Sequence, residues 1–391
     1  MFEKVGLQSA FFNFYIKLKK MREEIIIIGN SFSGLGAAIA FAKYGHKIRV
    51  IAPNNKPQLF GGLQIAPNGL AALSSLDLKD EILDKATRLL AVEIKSLDLA
   101  STLAKISLSE NKTTYVSIAR QDLHQTLLRI CLKNPLIKFI DAKVLAISQK
   151  FNNTTLILDN SDIITAPFIV GADGWEGKTR QFVNPTASQV NSGYAIYRGI
   201  FPSKDIPPGF SFPNVQLWLG NSCHLVSYPI RNGQDVNFVF SFSESAFSTN
   251  SIQSILSYHP ILSLLEKRMK DWKIISVKNS EPLFNWRRGS VTLIGDAAHP
   301  MPPHLAQGAG QSFMDIACIE TILAKGFCVS DTLNEMIKIR MPEAHSVARK
   351  SQLSGDIFRT NGFVANLRNQ IIGLAGEKII NEFLNDLWLL A

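Results

Sequence analysis

The chain has 391 residues, 46% of them hydrophobic and 19% charged, which excludes a disordered or fibrous protein and leaves room for two or three globular cores. Its 41 basic and 32 acidic side chains give a formal charge of +9; no nucleic-acid motif or basic stripe with interleaved aromatics goes with it, so no nucleic-acid partner is expected, and attraction of small anions or a solvated basic surface remains. Cys131, Cys223, Cys318 and Cys328 are scattered without C-x-x-C pairing or histidines at ligand spacing, so free thiols, no metal site and a cytoplasmic, reducing compartment are expected, and no apolar run is long enough to span a membrane.

Residues 1–22 begin the chain with Phe2, Val5, Leu7, Phe11, Phe12, Phe14, Tyr15, Ile16 and Leu18 and end in Lys17, Lys19, Lys20 and Arg22. This basic amphipathic pattern predicts peripheral contact with a membrane. Its charges follow the apolar stretch, so it is not a secretory signal; the plainer alternative is an upstream start, with Met21 as the natural beginning.

Next, the strand 24–28 leads into Gly29-Asn30-Ser31-Phe32-Ser33-Gly34, an Ala-rich helix to about Tyr44, Gly45 as its stop, and a second strand over 47–52. This is the strand-turn-helix-strand unit in which a pyrophosphate rests on a helix N-terminus. Two positions depart from the G-x-G-x-x-G pattern. Ser31 stands at the middle glycine, where its hydroxyl is placed to donate to the pyrophosphate, and Ala52-Pro53-Asn54-Asn55 stands where an Asp or Glu would grip the adenosine ribose.

Further on come Gly61-Gly62-Leu63-Gln64-Ile65-Ala66-Pro67-Asn68-Gly69, then Arg120-Gln121-Asp122-Leu123, and then the apolar strand and turn Phe168-Ile169-Val170-Gly171-Ala172-Asp173-Gly174, followed by Gly177 and Arg180. By itself the last is a tight turn of ordinary kind. From 189 to 277, aromatic and β-branched segments such as 215–219, 225–230 and 236–242 alternate with turns such as Asn232-Gly233, predicting an antiparallel sheet. Within it His224 and Tyr228 are four apart and share one face of a strand; a histidine is the side chain that titrates nearest neutrality, or both side chains simply pack.

The strand 291–294 exits into Gly295-Asp296-Ala297-Ala298-His299-Pro300, with Gln307-Gly308-Ala309-Gly310-Gln311 opening a helix. Backbone N–H groups at such a helix start stabilise negative charge on a ligand, glycines let a flat ring approach, and Asp296 offers acceptors for sugar or ribityl hydroxyls. The remainder, 312–391, is helical by pattern, its apolar stripe over 358–390 reading as core, with Arg368 facing either the core or a partner.

The three glycine-rich fragments, in this order, resemble the FAD-dependent aromatic hydroxylases, the single-component flavoprotein monooxygenases. The segments 61–69, 120–123 and 299–308 are similar to the salicylate hydroxylase-like branch. The resemblance implies an α/β fold of the p-hydroxybenzoate hydroxylase kind: a Rossmann-like FAD-binding domain (23–188 and 278–330), an antiparallel-sheet substrate domain (189–277) and C-terminal helices (331–391). It implies FAD held by Gly29, Ser31, Ser33, Gly34, Arg120, Asp173, Gly174, Arg180, Asp296, Pro303, Gly308, Ala309 and Gly310. Pro300 would lie by the reactive edge of the isoalloxazine, His299 would shape the turn under it, and His304 would face solvent or substrate. His224 and Tyr228 would contact the ring hydroxyl of a small aromatic substrate, which O2 and NADH or NADPH convert to a hydroxylated product. Two alternatives stay open: a polyprenylated phenol of the ubiquinone pathway as substrate, and a weak FAD binder acting as a scaffold.

Overall fold

The computed structural model describes residues 23–388 except 54–58, 109–113, 151–152, 188, 207–209, 211–212, 245–262 and 264–271. The amphipathic segment 1–22 and the pair Asn54 and Asn55 lie outside the described residues. Within them the helices in chain order are α1 (Phe32–Lys43), α2 (Pro67–Ser75), α3 (Lys79–Leu83), α4 (Arg120–Lys133), α5 (Lys178–Val183), α6 (Gly308–Ala324), α7 (Val329–Phe358) and α8 (Gly362–Trp388).

A six-stranded sheet carries the cofactor motifs, in the order Arg287–Arg288, Val291–Leu293, Phe168–Gly171, Glu24–Ile28, Lys47–Ile51, Ile137–Ile140. All its neighbours are parallel except the first pair. Its central strand is a run of isoleucines because both faces are covered: Ile25, Ile26 and Ile27 are wholly buried, each contributing about 1.5–3 kcal/mol. The small residues of α1 allow α6 to pack closely on it, and a Cβ on Gly36 would stand 2.4 Å from Ile316 Cδ1.

The second large sheet runs Lys273–Ser280, Gln189–Pro202, Asp235–Ser243, Cys223–Ile230, Val215–Leu219, Ala91–Ser96, Thr102–Ser107. It therefore reaches beyond 189–277: the hairpin formed by Ala91–Ser96 and Thr102–Ser107 adds to its edge, and Ala91–Ser96 runs parallel to Val215–Leu219, so the sheet is antiparallel apart from that pair. Two segments so distant in sequence carry no local turn signal that would reveal their pairing.

The C-terminal helices are less separate than a boundary at 330/331 implies. Val329, Leu333, Met336 and Ala344 of α7 belong to the same core as the isoleucine strand. Ile372, Ile380 and Leu384 of α8 instead pack with Ile94, Ile106, Leu217 and Leu219 at the edge of the second sheet. No described helix is long and apolar enough to cross a membrane.

Candidate active site

One cavity of about 1320 Å³ runs between the two sheets and joins most of the sequence motifs. At one end it meets the turn before α1. Gly29 has φ +105°, and a Cβ there would stand 2.4 Å from Ala172 O, so only glycine fits. Ser31 caps α1: its Oγ accepts from Gly34 N at 3.3 Å and donates to Ala172 O at 2.9 Å. The hydroxyl proton is thus spent inside the protein and is not offered to a pyrophosphate, which corrects the role expected of it. Gly34 lies behind the wall, its Cβ position 2.1 Å from Gly29 O, and acts in packing the helix against the turn.

In the second motif, Asp173 accepts from Thr179 N at 3.0 Å and from Thr179 Oγ1. Burial raises its pKa, and the Thr179 bonds counter this only in part. Gly177 is the residue that permits the arrangement, because a Cβ at this position would stand 2.2 Å from the Asp173 carboxyl. Asp173 and Gly174 line the cavity, but Arg180 does not. Arg180 is buried and donates to Ala297 O at 2.9 Å, so it ties the second motif to the third, contrary to the direct cofactor contact expected of it.

The third motif turns on Gly295, with φ +56°, whose N–H donates to Asp315 Oδ2 at 3.0 Å. The same carboxylate holds His299 Nε2 at 2.6 Å and Arg340 Nε at 3.0 Å; burial alone would raise its pKa, yet His299 and Arg340 bring it below the ordinary value. His299 is therefore enclosed beneath the turn. Asp296 is the turn's exposed side chain and lines the cavity with Met301, Pro303, Gly308 and Ala309, whereas Pro300 does not. Gly310 is also off the wall: it faces Gly69, whose Cα is 3.8 Å from a Cβ placed on it, and serves the contact between α6 and α2. Arg120, at the start of α4, lines the wall near Gly62 O, 3.4 Å from its Nε.

At the far end His224 and Tyr228 are buried, 3% and 4% exposed, and both face the cavity, but they meet different neighbours. Tyr228 lies near Arg198, Arg120 and Asn237; burial raises its pKa and the two arginines oppose this. The ring of His224 is 5.4 Å from those of His304 and Phe358, and its Nδ1 is buried without a partner. Burial, with His304, Arg359 and Arg368 nearby, drives its pKa well below 6.5. This differs from the expectation of a base titrating near neutrality: burial and the neighbouring cationic groups favour the uncharged imidazole.

His304 faces the cavity. Its Nε2 lies 2.9 Å from Arg359 Nη1 and 3.2 Å from Tyr194 Oη. A guanidinium only donates, so Nε2 holds a lone pair and the proton is on Nδ1. Burial and Arg359 push the pKa of His304 down to about 3. Arg359 in turn stacks on Tyr194, 3.9 Å from the ring centroid.

Sequence reading missed Arg198, Tyr194 and Arg359. Arg198 lines the cavity, its Nε is buried without a partner, and burial lowers its pKa to about 10. A signal was present: Arg198 shares strand parity with Ile196, which also lines the cavity, so a charge sits on the inward face of an apolar strand. Arg368 turns inward, donating to Phe358 O at 2.8 Å and to Gly220 O at 3.3 Å. The α8 stripe expected to be core lines much of the cavity.

Residues 22–350 match the family model described as FAD binding domain. The chain is 28% identical over 377 residues to 3-hydroxybenzoate 6-hydroxylase 1 of Aquipseudomonas alcaligenes, covering 90% of this chain and 94% of the relative. Among solved structures, Klebsiella pneumoniae HpxO complexed with FAD and uric acid superposes with a TM-score of 0.83 at 18% identity, over 95% of this chain and 98% of the other. A salicylate hydroxylase substrate complex gives 0.76 at 18% identity, over 95% and 98%. With the three motifs lining or bracing one cavity, the chain belongs to the FAD-binding aromatic hydroxylases.

Proposed function

We propose that this FAD-dependent monooxygenase hydroxylates a phenolic ring of hydroxybenzoate type with O2 and with NADH or NADPH as reductant, in the cytoplasm. The observation that carries the reading is the continuity of the cavity from the α1 turn to His224. The residues present fit FAD: Gly29 tolerates no side chain, Gly174 has open space where a Cβ would be, and the nearest atoms to a Cβ on Gly308 are 4.0 Å away. Gly29, Ser33 and Gly174 would hold its pyrophosphate side, Asp173 would fix the turn that carries Gly174, and Arg120, Asp296, Pro303, Gly308 and Ala309 would lie around its ribityl chain and ring. Bound FAD, reduced by the nicotinamide, supplies the oxygen chemistry in which one atom of O2 enters the substrate ring and the other leaves as water.

The chain's own groups prepare the substrate. The start of α6, with Gly308 and Ala309 on the cavity wall, would offer backbone N–H groups and a positive dipole end to negative charge on a bound flavin. His224 presents a neutral imidazole that accepts the phenol proton as the ring is attacked, and His304 offers its Nδ1–H to the oxygen left behind. Arg198 attracts a carboxylate or phenolate into the pocket, and Tyr228 lies beside it. The 3-hydroxybenzoate 6-hydroxylases among the relatives support an aromatic acid as substrate.

The test is the visible spectrum of the purified protein with FAD added and the excess removed, followed by NADH and NADPH oxidation against phenols and hydroxybenzoates. A retained flavin and product formation are expected, with kcat about 10²–10⁴-fold lower in His224→Asn at unchanged flavin content. A protein that never retains FAD would overturn the reading.

A further inference from the structure

The sheet face that carries His224 continues past the polar groups and becomes apolar. In register, Val239 pairs with Val226, Val226 with Leu217, and Leu217 with Ile94, and all four line the cavity. At a strand spacing of ~4.8 Å this row extends about 14 Å toward the sheet edge. At one end the row meets Arg198, which pairs with Val239, and the polar pair Ser241 and His224 lies alongside it, two residues along the same strands.

Opposite this face lies α8. Residues from Val364 to Trp388 contribute to the wall, a span of ~36 Å at 1.5 Å per residue, whereas a lone aromatic ring needs about one helical turn of ~5.4 Å. The one charged side chain α8 gives to the wall, Arg368, is tied to backbone carbonyls. Moreover, Val364, Leu367, Ile371 and Ile379 line the cavity while remaining 54%, 43%, 49% and 49% exposed. Among the described residues this apolar surface is thus partly exposed and continuous with the proposed reaction site.

Resting on the hydroxylase reading above, we propose that the aromatic substrate carries a long apolar substituent, an alkyl, acyl or polyprenyl chain, which lies between the sheet and α8 while the phenolic head reaches His224 and His304. The row of valines and leucines leads from the head site to the helix, so the chain's position follows from the register of the sheet. Burying it there removes apolar surface of both partners from water.

The FAD-loaded protein is titrated with alkyl esters of 4-hydroxybenzoate from methyl to dodecyl, with Kd read from the perturbed flavin absorbance and by calorimetry. Kd is expected to fall about two- to fourfold per added methylene over the first several carbons. Ile372→Trp, which narrows the groove on the α8 side, is expected to end that trend at a shorter chain. Affinity that is flat or weakens with chain length in FAD-loaded wild type overturns the proposal, as does a co-purifying phospholipid, seen by native mass spectrometry, that the dodecyl ester fails to displace. Hydroxylation of the methyl ester is scored separately. Turnover of it with a flat series removes the groove alone, while a chain-length trend without turnover of any ester removes the hydroxylase reading and leaves the groove.

Discussion

Two arginines, both withdrawn from bulk water, show how the two ends of the cavity differ. Arg340, 2% exposed, meets Asp315 at 3.0 Å, Gln311 Oε1 at 2.6 Å and Glu343. Arg198 lines the cavity and, among the described residues, the charged or titratable groups that act on it are Arg120 and Tyr228, neither of them acidic at neutral pH. A guanidinium neutralised by the protein serves the fold, since its charge is already answered; one left unanswered against a cavity is answered by a ligand. The cofactor end is therefore braced internally, and the substrate end is electrostatically incomplete.

The strongest way to sharpen this contrast is Asp315→Ala. It strands Arg340 and His299 and frees the Gly295 turn, so a loss of about 3–5 kcal/mol is expected, read from the denaturant midpoint, with weakened FAD retention. Arg198→Met should act oppositely, holding or improving stability while raising KM for a hydroxybenzoate by roughly 10–100-fold, the value of a hydrogen bond to a charged group. A large stability loss in Arg198→Met would break the comparison.

A pH titration separates the ends further. A histidine whose folded pKa is depressed is neutral in the native state while the unfolded chain binds a proton, so stability falls as pH drops from the unfolded value toward the folded one. For His304 that window runs from 6.5 down to about 3, and His304→Gln is expected to remove part of the slope of thermal midpoint against pH there. Asp315, with its pKa depressed, contributes stability above the ordinary value of 3.8 that is lost below it; its loss belongs to stronger acid. The smallest effects are expected at Ser31, where Ser31→Ala should cost about 1 kcal/mol for a lost N-cap, read by thermal melting. Ser31→Gly should cost only a few tenths of that unit.

The cofactor end was readable because its chemistry is local. Gly29, Asp173 and Asp296 each lie in a strand-turn-helix segment short enough for spacing to define the geometry. Even there, single residues misled: Gly34, Gly310 and Arg180 keep motif positions but work behind the wall, since a motif records a backbone shape and not which atoms face the ligand. The substrate end depends on pairing between remote segments. That Ile94 aligns with Leu217, and that α8 covers both, follows from tertiary packing and leaves no periodicity to read. His224 and Tyr228 were found by strand parity, but the neighbours that keep His224 uncharged come from the loop before α6, the residue that follows α7, and α8.

Helix α7 links these ends in one continuous element. Arg340 braces the Gly295 turn, Ser351 donates to Pro302 O at 2.6 Å, and Arg359, just past its last residue, holds His304. The two arginines are nineteen positions apart, ~28 Å at 1.5 Å per residue. For protein engineering this fixes the unit of exchange: a chimera joined within α7 would inherit its turn brace from one parent and its histidine tautomer from the other, so a substrate pocket transplanted from a relative must bring α7 and α8 with it whole.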